Sequence, residues 1–166
     1  MQELIEKIEQ WAIDRELDKK GTVEGQAIKT AEEIAELIKG ISKDNIDLIK
    51  DSIGDVFVTL VIGNMLDKKL DIERLYRINE QSTKEDRFEL TKIKMIFDLG
   101  ESVSQIVLSK YGVFEVNTIL KKIMLVAQDY NLDFKDCVES AYNEIAGREG
   151  EMIDGVFVKK EDLKSE

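Results

Sequence analysis

Two short acidic runs carry residue types at a spacing that could do chemistry: Glu32-Glu33-Ile34-Ala35-Glu36 and Asp51-Ser52-Ile53-Gly54-Asp55. On a helix, side chains three and four positions apart lie one above the other. Glu33 and Glu36 therefore stack, as do Glu32 and Glu36, and Asp51 stacks with Asp55. Like charges so placed repel by roughly 0.2–0.5 kcal/mol per pair, and bringing two such faces together raises the cost. A divalent cation reverses the sign. Mg²⁺ takes carboxylate oxygens in near-octahedral geometry and keeps positions open for water and substrate phosphates. The other reading of an acidic run is a solvated helix face, and it suits the first run better than the second. Asp55 opens the almost wholly apolar stretch VFVTLVIG. An acid there is expected to be partly buried, and buried acids are generally paired or metal-bound. Gly54 costs about 1 kcal/mol against Ala inside a helix, which points to close approach of a neighbouring helix or ligand.

Composition narrows the chemistry further. The 166 residues include no His, no Pro and a single Cys, Cys137. Without His there is no His-based triad, general base or metal ligand, and one Cys supports neither a structural zinc site nor an intramolecular disulfide. Metal chemistry must use oxygen ligands, which means Mg²⁺ or Mn²⁺. The net charge of −11 disfavours long nucleic acid and anionic lipid as partners, but not a small anion bridged by a divalent cation. The start MQELIEKIEQ is charged and has no apolar core. The longest apolar stretch, Val56 to Leu66, is about half the ~20 residues that span a bilayer. The expectation is a cytoplasmic protein with no membrane contact.

The elements that must position these acids are helices, in one domain over 1–166. Leu4, Ile5, Ile8, Trp11, Ala12 and Leu17 predict an amphipathic helix over 3–17. A break at 19–22 follows, with Thr22 as a cap. Ala27, Ala31, Ile34, Ala35, Ile38 and Ile41 line a second helix, about 24–42. After a turn at 42–45, a third runs over 46–66 with Ile49, Ile53, Val56, Phe57, Leu60 and Val61 apolar. β-branched residues at 53–62 make a strand the rival there, but length and the three-four pattern favour helix. The short turn makes helices two and three antiparallel and brings Glu36 level with Asp51. Further helices are predicted at about 71–80, 85–109, 114–130 and 134–146. Asp154-Gly155 between short apolar runs suggests a hairpin or extended arm at 151–159. Leu60–Asp71 and Lys122–Asp133 echo each other, as an apolar helix followed by a loop ending in Leu-Asp. Either a degenerate duplication with acids only in the first copy, or chance, produces that.

EEIAE, a 15-residue spacer and SIGD before an apolar helix resemble the EExxE…ExxD signature of the MazG-like, all-α nucleoside triphosphate pyrophosphohydrolases, relatives of the dimeric dUTPases. Trp11, Gln26, Lys29 and the run AYNEIAGREGEMIDGVFVKKED resemble small bacterial and phage members. The likeness covers about 1–66 and 138–162, with 67–137 as an extra helical segment. It implies an all-α helical bundle with a four-helix core, and Mg²⁺-dependent conversion of (d)NTPs to the monophosphate and pyrophosphate. It implies Glu33, Glu36, Asp51 and Asp55 as metal ligands and Glu32 as the residue that positions or deprotonates the attacking water. Lys29, Gln26, Trp11, Asn143 and Arg148 would contact the substrate, with Tyr76 and Asn79 as weaker candidates. Lys29 is equally suited to an ion pair with Glu33, and Trp11 to core packing. A homodimer or homotetramer is also implied. Where the signature has its second-motif Glu, this chain has Ser52, and Asp51 is expected to supply the carboxylate. The rivals are a non-catalytic acidic helical interaction protein, and a degenerate member that binds nucleotide but turns over slowly.

Overall fold

A computed structural model describes residues 1–67, 70–85, 90–153, 156–160 and 163. The described chain is an all-α helical bundle with one small hairpin. Helix α1 (Gln2–Asp14) buries Leu4, Ile5, Ile8, Trp11 and Ala12, the expected stripe. The predicted 3–17 helix is two pieces. Glu16 takes a left-handed φ of 59°, ending α1, and Leu17 is buried at the start of α2 (Leu17–Lys20).

Helix α3 (Val23–Ser42) starts where Thr22 accepts a hydrogen bond from the Gly25 amide at 3.0 Å. Its buried row is Ala27, Thr30, Ile34, Leu37 and Ile41, a strict three-four progression. Ala35, expected on that row, is exposed, and Leu37 takes the inward place. Asp44, at φ 52°, reverses the chain, and the Asn45 side chain accepts from the Leu48 amide at 3.2 Å to begin α4 (Ile46–Asp67).

The stretch that could have been a strand is the helix at the centre. Helix α4 buries Ile49, Ile53, Val56, Phe57, Leu60 and Val61 together with Val58 and Ile62, so it is apolar nearly all round, as an enclosed helix must be. Helices α1, α3, α7 and α8 pack around it. Two glycines let neighbours press close. A Cβ on Gly54 would stand 2.3 Å from the Cys137 carbonyl oxygen of α8 and 2.6 Å from Ala141 Cβ. One on Gly63 would stand 1.8 Å from the ring of Tyr111, whose hydroxyl is held at 2.7 Å by Thr30 Oγ1. The close approach expected at Gly54 is therefore a helix contact.

The second half is α5 (Ile72–Glu85), α6 (Lys92–Ser109), α7 (Val113–Asp129) and α8 (Phe134–Ala146). Helix α5 runs past its expected end at 80 and includes Glu85. Residues 86–89, where the 85–109 helix was expected to begin, lie outside the described residues, and α6 starts after Thr91 caps the Lys94 amide at 3.2 Å. The two Leu-Asp loops end alike: Asp71 accepts from the Arg74 amide at 2.8 Å and Asp133 from the Asp136 amide at 3.0 Å. Packing repeats with them. Helix α3 pairs with α4 as α6 does with α7, α4 packs on α8 as α7 packs on α5, and α3–α6 and α4–α7 contacts join the halves.

One hydrophobic cluster runs from α1 to α8. Ile106, Val116, Ile119, Leu120 and Ile123 are wholly buried, so the segment 67–137 shares the core with its flanks. After α8, β1 (Gly150–Ile153) pairs antiparallel with β2 (Val156–Lys159), Gly150 opposite Lys159 and Ile153 opposite Val156. The expected Asp154-Gly155 turn lies outside the described residues. Among the described residues no helix is long and apolar enough to cross a membrane.

Candidate functional site

The α3–α4 hairpin and the seating of α8 on Gly54 enclose a cavity of about 570 Å³. The antiparallel register, pinned where Gln26 Nε2 donates to the Thr59 carbonyl at 3.4 Å, gives the cavity two unlike ends. Toward the α3–α4 turn stand Glu32, Glu33 and Glu36 of α3, Asp51 and Asp55 of α4, and Glu144 of α8. Lys29 and Arg148 are the cations beside them. Toward the start of α3 the lining is Trp11, Leu17, Val58, Ile62 and Phe157, with the buried Gln26.

Six carboxylates face two cations, and their environment registers the imbalance. Burial pushes Asp55 up to about 7, and the charges of Glu33 and Asp51 add to it. Burial raises Glu33, with Lys29 opposing and Glu36 and Glu32 reinforcing. Asp51 is raised by burial and by Glu144 across the α4–α8 contact. Lys29 Nζ lies 2.5 Å from Glu32 and 3.7 Å from Glu33, so the ion pair expected for it is present. Arg148 pairs with Glu144, one turn earlier on α8.

As placed, no three acidic side chains among the described residues converge on one point closely enough to hold an ion. The donor set nevertheless fits a hard cation in its chemistry. It consists of carboxylate oxygens from three helices, several of them partly buried and under-compensated by positive charge. The side chains of Glu32 and Glu144 are half-exposed, each held by a cation of the cavity. The second-motif position behaves differently. Ser52 is 1% exposed and does not line the cavity, and its hydroxyl has no hydrogen-bond partner among the described residues, whereas Asp51 lines the cavity. Ser52→Ala is expected to leave stability unchanged or raise it by up to about 1 kcal/mol, because an unsatisfied buried hydroxyl is removed. Urea denaturation of the two proteins checks this, and a clear loss would mean that the hydroxyl has a partner.

Of the substrate-contact candidates, Gln26, Lys29, Trp11 and Arg148 line the cavity. Trp11 does so as a wall. Its N–H donates to the Ile145 carbonyl at 2.8 Å, the Arg15 guanidinium lies 4.5 Å over its ring, and Phe157 meets it edge-on at 5.6 Å. Asn143 is exposed and does not line the cavity, and its neighbour Glu144 does. The inward row of α8 runs through Cys137, Ala141 and Glu144–Ile145, which leaves Asn143 on the outer side. Asn79 bonds Asn117 Oδ1 at 2.8 Å, Tyr76 stacks on Phe134 at 5.9 Å, and neither lines this cavity.

Two residues escaped the sequence reading. Glu144 carried a usable signal, standing four positions before Arg148 in the sequence. Arg15 carried none. It reaches across the fold to donate to the Arg148 carbonyl at 2.7 Å and to that of Ala146 at 3.3 Å, anchoring the end of α8.

No protein-family model matches the chain, and no solved structure does. It is 34% identical, over 158 residues, to the "Uncharacterized 18.2 kDa protein in rep-hol intergenic region" of Haemophilus phage HP1 (strain HP1c1). The aligned region covers 85% of this chain and 97% of the phage protein. The chain therefore belongs to the same family as that phage protein.

Proposed function

We propose that the protein is a Mg²⁺-dependent nucleoside triphosphate pyrophosphohydrolase, of the kind the MazG-like enzymes exemplify, acting on (d)NTPs in a cytoplasmic pool. One observation carries the reading: acids from α3, α4 and α8 line a single cavity whose other end is apolar. Such a cavity suits a ligand with a cation-binding polyanion at one end and a flat, weakly polar group at the other. A nucleoside triphosphate has that form, and about 570 Å³ lies within the usual range for small-ligand pockets.

Glu33, Glu36, Asp51 and Asp55 would hold Mg²⁺, which when bound offsets charge on the phosphoryl oxygens. Glu32 orients the attacking water and accepts its proton. The water oxygen bonds to phosphorus as the bond between the α and β phosphoryl groups breaks, leaving monophosphate and pyrophosphate. Lys29, between Glu32 and Glu33, and Arg148, just past the end of α8, meet the phosphates. Trp11, Phe157 and Ile62 exclude water from the base, and the Gln26 amide offers it a donor and an acceptor.

A panel of eight (d)NTPs with Mg²⁺, scored for monophosphate and pyrophosphate, tests the reaction. Equal amounts of the two products are expected. Glu32→Gln is expected to lower kcat by about 10²–10⁴-fold, the usual worth of a general base. Glu36→Gln is expected to raise the Mg²⁺ concentration needed for half-maximal rate. Diphosphate plus orthophosphate would refute the reaction, and fully active mutants the site. The burial of Ser52 at the second-motif position favours a second reading, nucleotide binding with slow turnover. Binding of a non-hydrolysable triphosphate without product release would select it.

A further inference from the structure

The two cations of the cavity lining are supported in different ways. Lys29 lies within α3, where Glu32 and Glu33, one turn on, hold it at 2.5 Å and 3.7 Å. Arg148 lies outside regular structure, between Gly147, which ends α8, and Gly150, which opens β1. Side-chain packing does not fix the chain there, since a Cβ on Gly147 would meet nothing within 4 Å. The Arg148 side chain is nevertheless only 24% exposed, and it pairs with Glu144. Burial raises Glu33, Asp51 and Asp55, and the charge of Arg148 opposes the rise at all three. One guanidinium at the end of a helix therefore serves both acidic runs.

What holds its backbone comes from α1. Arg15 Nη2 and Nε both donate to the Arg148 carbonyl, at 2.7 Å and 3.2 Å. Nη2 also reaches the Ala146 carbonyl at 3.3 Å. Trp11 Nε1 donates to the Ile145 carbonyl at 2.8 Å. Arg15 is itself fixed, because Nη1 donates to the Trp11 carbonyl at 3.4 Å and the guanidinium lies 4.5 Å from the centre of the Trp11 ring. Carbonyls at a helix end lack partners within the helix, and here three of them meet one planar fork and the indole beneath it. Arg15 does not line the cavity, so its own guanidinium is not placed to meet a substrate.

We propose that Arg15 is a positioning residue for Arg148: by gripping the backbone at 146 and 148 it sets where the Arg148 guanidinium stands at the acidic end, and so how tightly the cavity holds a phosphate chain. The inference rests on the function proposed above, in which Arg148 meets the phosphates. Arg suits the task better than Lys. Its rigid fork bonds two carbonyls at once and lies flat on an aromatic ring, whereas an ammonium is a point charge on a flexible stem. Fixing the backbone before the ligand arrives removes an ordering cost from binding. That gain falls on bound substrate and transition state alike, so it registers in KM and leaves kcat alone.

Titration calorimetry with a non-hydrolysable deoxynucleoside triphosphate and Mg²⁺, beside steady-state rates, tests this. Arg15→Ala is expected to weaken binding about 10-fold, the scale of one charge-assisted contact, and to raise KM as much while kcat stays within about 2-fold. Arg148→Ala should weaken binding at least as much. The double variant should bind no more weakly than Arg148→Ala alone, because Arg15 acts only through Arg148. Arg15→Lys, which keeps the charge and reaches one carbonyl, should recover part of the loss and gives a second reading should the Ala variant fold poorly. Circular dichroism checks that each variant is folded. Wild-type affinity in Arg15→Ala, losses that add in the double variant, or a fall in kcat at unchanged KM would each overturn the inference while the proposed function stands. A wild type that binds no triphosphate overturns both.

Discussion

Asp55→Asn is expected to stabilise the metal-free protein at pH 8 by on the order of 3 kcal/mol while abolishing its response to Mg²⁺. Asp55 stands on the central apolar helix, and burial with Glu33 and Asp51 beside it lifts its pKa from 3.8 to about 7. Between about pH 4 and 7 the folded protein therefore holds a proton that the unfolded chain has released. Stability falls as pH rises through that window and levels off above it. Glu33 and Asp51 are raised as well and steepen the same slope. Asn carries no such charge, so the advantage of the variant should be near zero at pH 4, grow to pH 7 and stay constant beyond. In the proposed site Mg²⁺ would bind the ionised cluster and act in reverse. At a hundred times its Kd it should add about 2.7 kcal/mol to wild type and nothing comparable to the variant. Thermal denaturation at pH 4, 6 and 8, with and without Mg²⁺, reads all of this. A variant less stable than wild type at pH 8 would mean that Asp55 has a stabilising partner, and the metal assignment would fall with it.

Gly54→Ala should be the most damaging single-methyl change near the site, costing about 3 kcal/mol or more. The new Cβ would meet the Cys137 carbonyl at 2.3 Å and Ala141 Cβ at 2.6 Å, both fixed to the backbone of α8. No flexible side-chain end can yield, so the helix itself must move. Helix α8 carries Glu144, and Arg148 just past its end, and Arg15 anchors that end from α1. Its displacement should open the acidic end of the cavity as well as weaken the core. Denaturant midpoints should fall, and the half-saturating Mg²⁺ concentration should rise in whatever folded protein remains. Gly100→Ala, with open space over the glycine, gives the contrast: stability of the monomer should rise by roughly 1 kcal/mol. If Gly54→Ala were as well tolerated as Gly100→Ala, α8 would not rest on α4 as described.

Local features were legible before any coordinates. The row of α1, the helix at 134–146, the Thr22 cap, the Asn45 turn and the choice of helix over strand for 46–66 each depend on a few neighbouring residues. Periodicity and capping act over one or two turns, so a linear reading captures them. The pairing of Glu36 with Asp51 across a short turn extends the same logic by one step, since the turn leaves the two helices a single sensible register. The break at Glu16 was hidden because a non-glycine residue adopts the left-handed conformation there, against its usual preference.

The sequence by itself determined which residues share a helix face, and so that Glu33, Glu36, Asp51 and Asp55 were placed to face one neighbour. Which neighbour stands there was decided only in three dimensions. The contact of α8 with α4 brings Glu144 in and leaves Asn143 out, and hydrogen bonds spanning more than a hundred residues tie Arg15 and Trp11 to the end of α8. Helix–helix packing selects among many apolar faces of similar strength by fine complementarity, such as a missing Cβ at Gly54. That information is spread over both partners and is absent from either one alone.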